Sequence, residues 1–180
     1  MATIDPKTME RTAAGTRALD VIIRAGVPHT VHEYRAPEAH GRDRDRRPSY
    51  GVDAADALGI DPARVFKTLA VSVDGRLVLA VIPVDRELDL KRLADVAGGR
   101  RATMADPAEA ERATGYVVGG ISPLGTRRTL PLVVDERARE HETVLVSAGR
   151  RGLQVELKAE DLVRLGNARW ARVTRDGEPA

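Results

Sequence analysis

Two β-rich runs separated by a two-residue turn constrain this chain most. Residues 68–73 (TLAVSV) and 77–82 (LVLAVI) are rich in the aliphatic and β-branched side chains that favour strands. The dipeptide Asp74-Gly75 lies between the two runs, and it readily adopts the positive φ angles of a tight hairpin. The sequence therefore predicts an antiparallel hairpin near the middle of the chain, and the rest of the fold must provide a sheet around it.

The remaining segments alternate between strands and short helices. Apolar spacing and Gly or Asp-Pro boundaries predict helices at residues 16–26, 52–59, 89–97, 106–115 and 159–166. Further strands are predicted at residues 29–34, 116–118, 130–135, 143–148, 153–157 and 169–173. Because strands outnumber helices and only some are separated by helices, we predict a single α+β domain in which helices pack on a mixed sheet.

The composition excludes several kinds of site. The 180-residue chain has no cysteine, which excludes disulfides, thiolate metal sites and a cysteine nucleophile. Aromatic residues make up only 3%, too few for a row of stacked bases, and the formal net charge of +2 does not by itself indicate a nucleic-acid binder. No stretch has the apolar length of a signal peptide or a membrane span. We expect a cytoplasmic protein that binds neither membranes nor DNA.

The segment GYVVGGISPLGTRR, residues 115–128, contains an unusual density of glycine. Its glycine spacing matches a P-loop, but Thr126 and Arg127 stand where Lys and Ser or Thr are required, and no helix is predicted to follow. Gly119 and Gly120 would let a ligand approach the backbone, and their N–H groups could bind an anion or a carbonyl oxygen that gains charge. A glycine bend in a curved sheet explains the same residues, and on the pattern alone it is the simpler interpretation.

Lys67 is the second candidate, because lysine is scarce here and this one stands between Val65-Phe66 and the strand that begins at Thr68. A lysine enclosed at such a junction can bind a phosphate or orient a carbonyl, and burial would lower its pKa. A lysine whose stem packs while its ammonium group reaches water would have the same sequence. Both interpretations stay open at this point.

No other catalytic constellation is recognisable. The four histidines lack metal-ligand spacing, and neither Ser122 nor Ser147 has a paired base or lies in a G-x-S-x-G motif. We therefore predict no metal, no cofactor and no side-chain nucleophile.

Several segments together resemble the YbaK/EbsC family, the relatives of the prolyl-tRNA synthetase editing domain. They are VFKTL, DPAEAERATGYVVGGISPLG, LPLVVDE and VSAGRRGLQVEL, and the similarity extends from about Thr16 to Val173. Within the family, the Cys-tRNA(Pro) and Cys-tRNA(Cys) deacylase group is the most similar. The resemblance implies a strongly curved, barrel-like mixed β-sheet flanked by helices. It also implies hydrolysis of the ester that joins a mischarged amino acid to tRNA.

The resemblance also implies which residues form the site. Lys67, Gly119 and Gly120 would be catalytic. The residues expected to bind the substrate are Tyr34, Phe66, Thr68, Ile121, Ser122, Pro123, Ser147 and Gln154. Two arginine pairs, Arg127-Arg128 and Arg150-Arg151, are candidate tRNA contacts, since guanidinium groups suit phosphate.

For the cysteine-specific members, the resemblance implies a substrate-assisted mechanism, in which the substrate thiol attacks the ester and leaves as a cyclic thiolactone. The implied partners are aminoacyl-tRNA and prolyl-tRNA synthetase. Two features depart from the family: Gln154 stands where close relatives usually carry Asp, and the charged segment around residues 38–47 is longer. Two other functions stay open, a water-dependent deacylase for a small amino acid such as alanine on tRNA(Pro), and a non-catalytic tRNA- or synthetase-binding module.

The expected domain organisation is simple. Residues 1–12 are expected to be a disordered or frayed N-terminus, residues 13–173 the deacylase domain, and residues 174–180 a C-terminal tail.

Overall fold

The computed structural model describes residues 15–36 and 50–177. The N-terminus predicted to be frayed, the charged segment around residues 38–47 and the end of the predicted tail lie outside these ranges. The helices of the described part are α1 (Arg17–Arg24), α2 (Tyr50–Leu58), α3 (Leu90–Val96), α4 (Pro107–Thr114) and α5 (Ala159–Gly166). The strands are β1 (Thr30–Glu33), β2 (Phe66–Val73), β3 (Arg76–Pro83), β4 (Ala102–Met104), β5 (Leu132–Asp135), β6 (Val144–Arg150), β7 (Leu153–Leu157) and β8 (Arg169–Ala171).

The central hairpin is confirmed. Strands β2 and β3 pair antiparallel from Phe66 opposite Pro83 to Val73 opposite Arg76. Asp74 and Gly75 connect them with φ angles of +48° and +82°. Two successive positive φ angles are typical of the type I′ turn that matches the twist of a hairpin.

The strands form two sheets, and the prediction of a single α+β domain with mixed pairing is confirmed. The larger sheet has the order β4-β2-β3-β5-β8, and the smaller one has the order β1-β7-β6. In the larger sheet β5 runs parallel to both β3 and β8, whereas the β2 pairings are antiparallel. A single parallel bridge between Val65 and Leu145 joins the start of β2 to β6.

The expected strongly curved barrel is wrong. Within the described ranges no sheet is closed or strongly curled. The larger sheet ends at β4 and β8, and in the described residues its backbone is bridged to the smaller sheet only between Val65 and Leu145. One bridge cannot continue a ladder, and β6 also shifts its register against β7 between Ser147 and Arg150. The result is two sheets that share a core.

That core has three parts. The largest cluster takes one face from each sheet, with residues such as Leu79, Val134, Val146 and Val155, and α1, α4 and α5 add side chains to it. A second cluster joins the opposite face of the larger sheet to α3, and a third joins the opposite face of the smaller sheet to α2. Helix α2 therefore covers the end of β2 where Lys67 stands.

The predicted strand at residues 116–118 is also wrong. Helix α4 ends at Gly115, whose φ is +75°, and the chain then enters a loop. Tyr116 is buried and its hydroxyl donates to Leu124 O at 2.7 Å, but Val117 and Val118 are 50% and 37% exposed. An apolar run can form a strand only beside a partner strand, and the described residues provide none here. The short edge strand β4 was in turn not predicted.

A half-buried ion network joins β1, β7 and the turn before β2. Glu156 contacts Arg64 Nη2 at 2.7 Å and His32 Nε2 at 2.8 Å, and Thr143 also donates to it. Burial alone would raise the pKa of Glu156, but hydrogen bonds from Thr143 and His32 and the charge of Arg64 outweigh it and lower the pKa. A lowered pKa in the folded state means that Glu156 contributes stability above its unfolded pKa, and this contribution is lost as the pH falls through the folded pKa.

Replacing Glu156 by glutamine should therefore lower the free energy of unfolding at neutral pH by about 1.5–3 kcal/mol, the range for hydrogen bonds to charged groups. The difference from the wild type should shrink at acidic pH, where both side chains are uncharged. Chemical denaturation at a series of pH values measures both quantities. The matched control is Glu33→Gln, which removes an exposed pair with Arg150 and should change stability little. An equal loss in both variants would contradict this account.

Candidate functional site

The bridge between the two sheets brings Lys67 and Ser147 to one face. Val65 and Leu145 are bridged in parallel, and both belong to the cluster under α2. Lys67 and Ser147 each follow two residues later, so strand alternation places both side chains on the face of their bridged neighbours. Ser147 is paired with Gln154 on β7, which adds a third predicted residue to this face.

Lys67 is half-buried beneath the first turn of α2. Its Nζ donates to Val84 O at 3.4 Å. Burial lowers the pKa of Lys67, and the charges of Glu87 and Asp85 offset the shift only in part. A Cβ placed on Gly51 would lie 2.3 Å from Val84 Cγ1 and 3.9 Å from Lys67 Cβ, so the helix backbone packs directly on this corner. The ammonium group is thus held at the edge of the core.

Gln154 pairs with Ser147 and lies next to Tyr34. Burial raises the pKa of the Tyr34 hydroxyl, and a hydrogen bond from the Gln154 side chain opposes this shift. Gln154 is only 6% exposed, and its Oε1 has no hydrogen-bond partner within residues 15–36 and 50–177. A buried acceptor of this kind is suited to a donor on a ligand, such as an amino group or a hydroxyl.

The glycine loop forms a tight turn beside these residues. Gly120 N–H donates to Val117 O at 2.9 Å, and Gly119 has a φ of +87°. A Cβ on Gly119 would lie 2.7 Å from Tyr50 Cδ2, and one on Gly120 would lie 2.9 Å from Arg150 Cα. Both glycines are therefore required for close packing, against the start of α2 and against the β6–β7 turn respectively.

The turn changes the prediction for the two glycine N–H groups. The sequence suggested that both could point at one ligand atom, but Gly120 N–H is committed to Val117 O inside the turn. The N–H of Gly119 instead belongs to the middle peptide of the turn, which joins Val118 to Gly119. The structure thus brings Lys67 and Gly119 to the same short helix turn, with Gly51 packed on Lys67 and Tyr50 packed on Gly119.

Five more of the predicted pocket residues lie on β2 or in the glycine loop. Phe66 and Thr68 alternate with Lys67 and point into the other side of β2, where Phe66 belongs to the main core. The Thr68 hydroxyl is buried without a partner in the described part of the chain. The other three are Ile121, Ser122 and Pro123, all buried, with Ser122 Oγ accepting from Leu124 N at 3.3 Å.

The predicted arginines separate into two places. Arg150 and Arg151 line a cavity of about 380 Å³ together with Tyr34 and Gly152. Arg128 instead lines a cavity of about 740 Å³ that begins at the β2–β3 turn, at the opposite end of β2 from Lys67. Arg127 is exposed. Of the two pairs, Arg150-Arg151 is therefore the one that lies beside the residues around Gly119.

Tyr50 and Gly51 were missed by sequence reasoning. Both follow a long polar segment, and no local pattern distinguishes them from it. The predicted helix begins at residue 52, whereas α2 begins at Tyr50, so its first two residues carried no signal that would place them on Lys67.

The described residues contain neither a metal-binding cluster nor a helix that could cross a membrane. No group of three or more His, Asp or Glu side chains there could hold a metal ion. None of the helices in the same ranges is long and apolar enough to cross a membrane.

Comparisons with known proteins show the family to which the sequence is similar. The family model for the aminoacyl-tRNA editing domain matches residues 49–165. EbsC of Enterococcus faecalis, whose name proposes a Cys-tRNA(Pro)/Cys-tRNA(Cys) deacylase, is 35% identical over 167 residues, which are 92% of this chain and 96% of that protein. The multifunctional Ser/Thr-tRNA deacylase ProXp-y of Escherichia coli K12 is 38% identical over 89 residues, which are 49% of this chain and 53% of that protein.

A solved structure supports the fold. The crystal structure of a protein proposed as a trans-editing enzyme for prolyl-tRNA synthetase superimposes with a TM-score of 0.74 at 21% identity. The match covers 97% of this chain and all of the other.

Proposed function

The chain belongs to the aminoacyl-tRNA editing domain family, and from this premise we propose that it is a trans-editing deacylase that removes cysteine from mischarged Cys-tRNA(Pro). Cys-tRNA(Cys) is a further candidate substrate. The observation that carries the proposal is the meeting of Lys67 and Gly119 at the first turn of α2, beside the buried acceptor of Gln154. A cation, a backbone donor and a polar wall are the groups that an ester substrate with a free amine requires.

In the proposed reaction, the substrate thiol supplies the nucleophile. Its sulfur attacks the ester carbonyl carbon, a C–S bond forms, and the bond between that carbon and the ribose oxygen breaks. The thiol proton passes to the ribose oxygen, which leaves as the terminal hydroxyl of tRNA, and water later opens the thiolactone to free cysteine. The protein then needs only to orient the substrate and to stabilise the oxyanion, and these two effects are strong when the donors are fixed in advance.

Within this proposal each residue has a role. Lys67 holds the terminal adenosine region of the tRNA by its ammonium charge, and Gly119 N–H meets the oxyanion. Gln154 Oε1 accepts from the substrate amine, and Tyr34 and Ser147 complete the pocket wall. Phe66, Thr68, Ile121, Ser122 and Pro123 support the pocket from the core side.

The neutral Gln154 favours one alternative. A carboxylate would attract the substrate ammonium by charge, whereas an amide oxygen attracts it only as a hydrogen-bond acceptor and accepts a hydroxyl as readily. A deacylase for another small amino acid, such as alanine on tRNA(Pro), with water as nucleophile, is therefore the second candidate. A prolyl-tRNA synthetase remains the proposed protein partner in either case.

The experiment that separates a deacylase from a binding module uses substoichiometric protein. Cys-tRNA(Pro) is incubated with one-hundredth of its molar amount of protein, and remaining ester is measured over time. We expect the release of many equivalents of amino acid for each protein molecule. A binding module would slow the spontaneous loss of the ester or leave it unchanged, and that result would overturn the proposal.

A further inference from the structure

Arg151 contacts both the glycine loop and the start of α2. Its Nε and Nη2 both donate to Val118 O, at 2.9 and 2.7 Å. Its guanidinium group also lies 4.8 Å from the centre of the Tyr50 ring, and a Cβ on Gly119 would lie 3.0 Å from its Nε. Arg151 thus joins the β6–β7 turn, the glycine loop and the start of α2 at one point.

These contacts fix the middle peptide of a β-turn. The turn runs from Val117 to Gly120, and the positive φ of Gly119 at its third position identifies it as type II. Types I and II differ by rotation of the peptide between the two central residues, here Val118 and Gly119. Because a trans peptide holds its C=O and N–H in opposite directions, the bond from Arg151 to Val118 O also sets the direction of Gly119 N–H.

We propose that Arg151 is a positioning residue for deacylation. It holds the 117–120 turn as type II and so directs Gly119 N–H to the oxyanion of the reacting ester. This inference rests on the proposed function, and it gives Arg151 a role other than the tRNA contact predicted from its sequence. Without Arg151, the peptide can rotate toward type I, and the donor then faces away from the substrate for part of the time.

The neighbouring Arg150 differs from Arg151 in the partner of its guanidinium group. Arg150 is about half exposed, and its Nη2 pairs with Glu33 at 3.1 Å on the rim of the smaller cavity. Within the described structure its guanidinium group donates no hydrogen bond to the glycine loop. A phosphate contact remains suited to Arg150, whereas the two hydrogen-bonding nitrogens of Arg151 are directed to a backbone carbonyl.

The test compares Arg151→Gln with Arg150→Gln, which remove the same charge from adjacent positions. Loss of one oxyanion donor costs about 10²–10³ in kcat, so a donor that is only partly misdirected should cost roughly tenfold to a hundredfold in Arg151→Gln. Its KM should change little. Arg150→Gln should instead raise KM and keep kcat. Arg151→Lys, which retains one donor for Val118 O, should recover part of the lost kcat.

A second measurement reports on the turn without activity. NMR spectra of protein labelled with ¹⁵N-glycine should show a shifted or broadened Gly119 amide signal in Arg151→Gln and an unchanged one in Arg150→Gln. Thermal unfolding verifies that both variants are folded. The inference is overturned if Arg151→Gln keeps its kcat, or if it loses activity only through KM as a tRNA contact would. A wild-type protein without deacylase activity overturns the proposed function itself, and the NMR comparison then still decides whether Arg151 holds the turn.

Discussion

Replacing Lys67 by methionine is expected to lower kcat/KM for deacylation by about a hundredfold or more, the scale of losing one preorganised electrostatic contact. Methionine keeps most of the aliphatic stem that packs beneath α2 but removes the ammonium group. Among the described residues, the charges that act on Lys67 are those of Glu87 and Asp85, and both are negative. Steady-state hydrolysis of purified Cys-tRNA(Pro) measures the effect.

The same substitution should not destabilise the protein. Burial lowers the pKa of Lys67, which means that the fold disfavours its charged form relative to the unfolded chain. Between the lowered pKa and the ordinary value of 10.5, the unfolded state binds more protons, so wild-type stability gains from rising pH across that window. Lys67→Met should lack this gain and be at least as stable as the wild type at neutral pH.

The control for both measurements is Lys91→Met. Lys91 is exposed on α3 and has no contact with the site, so its loss should alter neither kcat/KM nor stability. Equal activity of Lys67→Met and the wild type would contradict the role given to Lys67. If Lys67→Met instead lowered the free energy of unfolding enough to explain the lost activity by unfolding, Lys67 would be a structural lysine.

Gly119→Ala is expected to have the second large effect. The new Cβ would lie 2.7 and 2.8 Å from two Tyr50 ring carbons, and the φ of +87° is unfavourable for any residue with a side chain. The loop or the start of α2 must then move, and a displacement near 1 Å in a catalytic donor can cost about 10²-fold in rate. We expect kcat to fall by that order and the free energy of unfolding to fall by about 1–3 kcal/mol.

Gly26→Ala separates the effect of backbone strain from the effect of moving the glycine loop. Gly26 also has a positive φ, +66°, but a Cβ there would meet nothing within 4 Å. This variant should lose stability through backbone strain alone and keep the wild-type kcat. If Gly119→Ala and Gly26→Ala reduced activity alike, the effect would come from general destabilisation and not from the position of the loop.

Local signals account for what the sequence predicted well. The Asp74-Gly75 turn, the Asp106 N-cap of α4 and its Gly115 end depend on residues adjacent in sequence, and all three occur in the structure. The wrong strand at residues 116–118 shows the limit of such signals. Three apolar residues suit a strand or a buried loop equally, and only the absence of a partner strand among the described elements distinguishes the two.

The site depended on contacts that no local pattern contains. Strand alternation in β2 would have excluded Phe66 and Thr68 from the face of Lys67, but only once the register of that strand was known. The approach of Tyr50 to Gly119 depends on how α2 packs, and that packing is set by the Val65–Leu145 bridge between distant segments. The resemblance to a family identified Lys67 and Gly119 as candidates, and the structure supplied the helix turn between them.

The most direct test of the account compares three esters on the same tRNA(Pro): cysteine, alanine and cysteine with its thiol methylated. If the substrate thiol is the nucleophile, the protein should release cysteine rapidly and leave the alanyl and S-methylated esters at their spontaneous rates. Release of alanine and of the methylated amino acid as fast as cysteine would contradict substrate assistance. It would identify water as the nucleophile, with the neutral Gln154 in a pocket of different specificity.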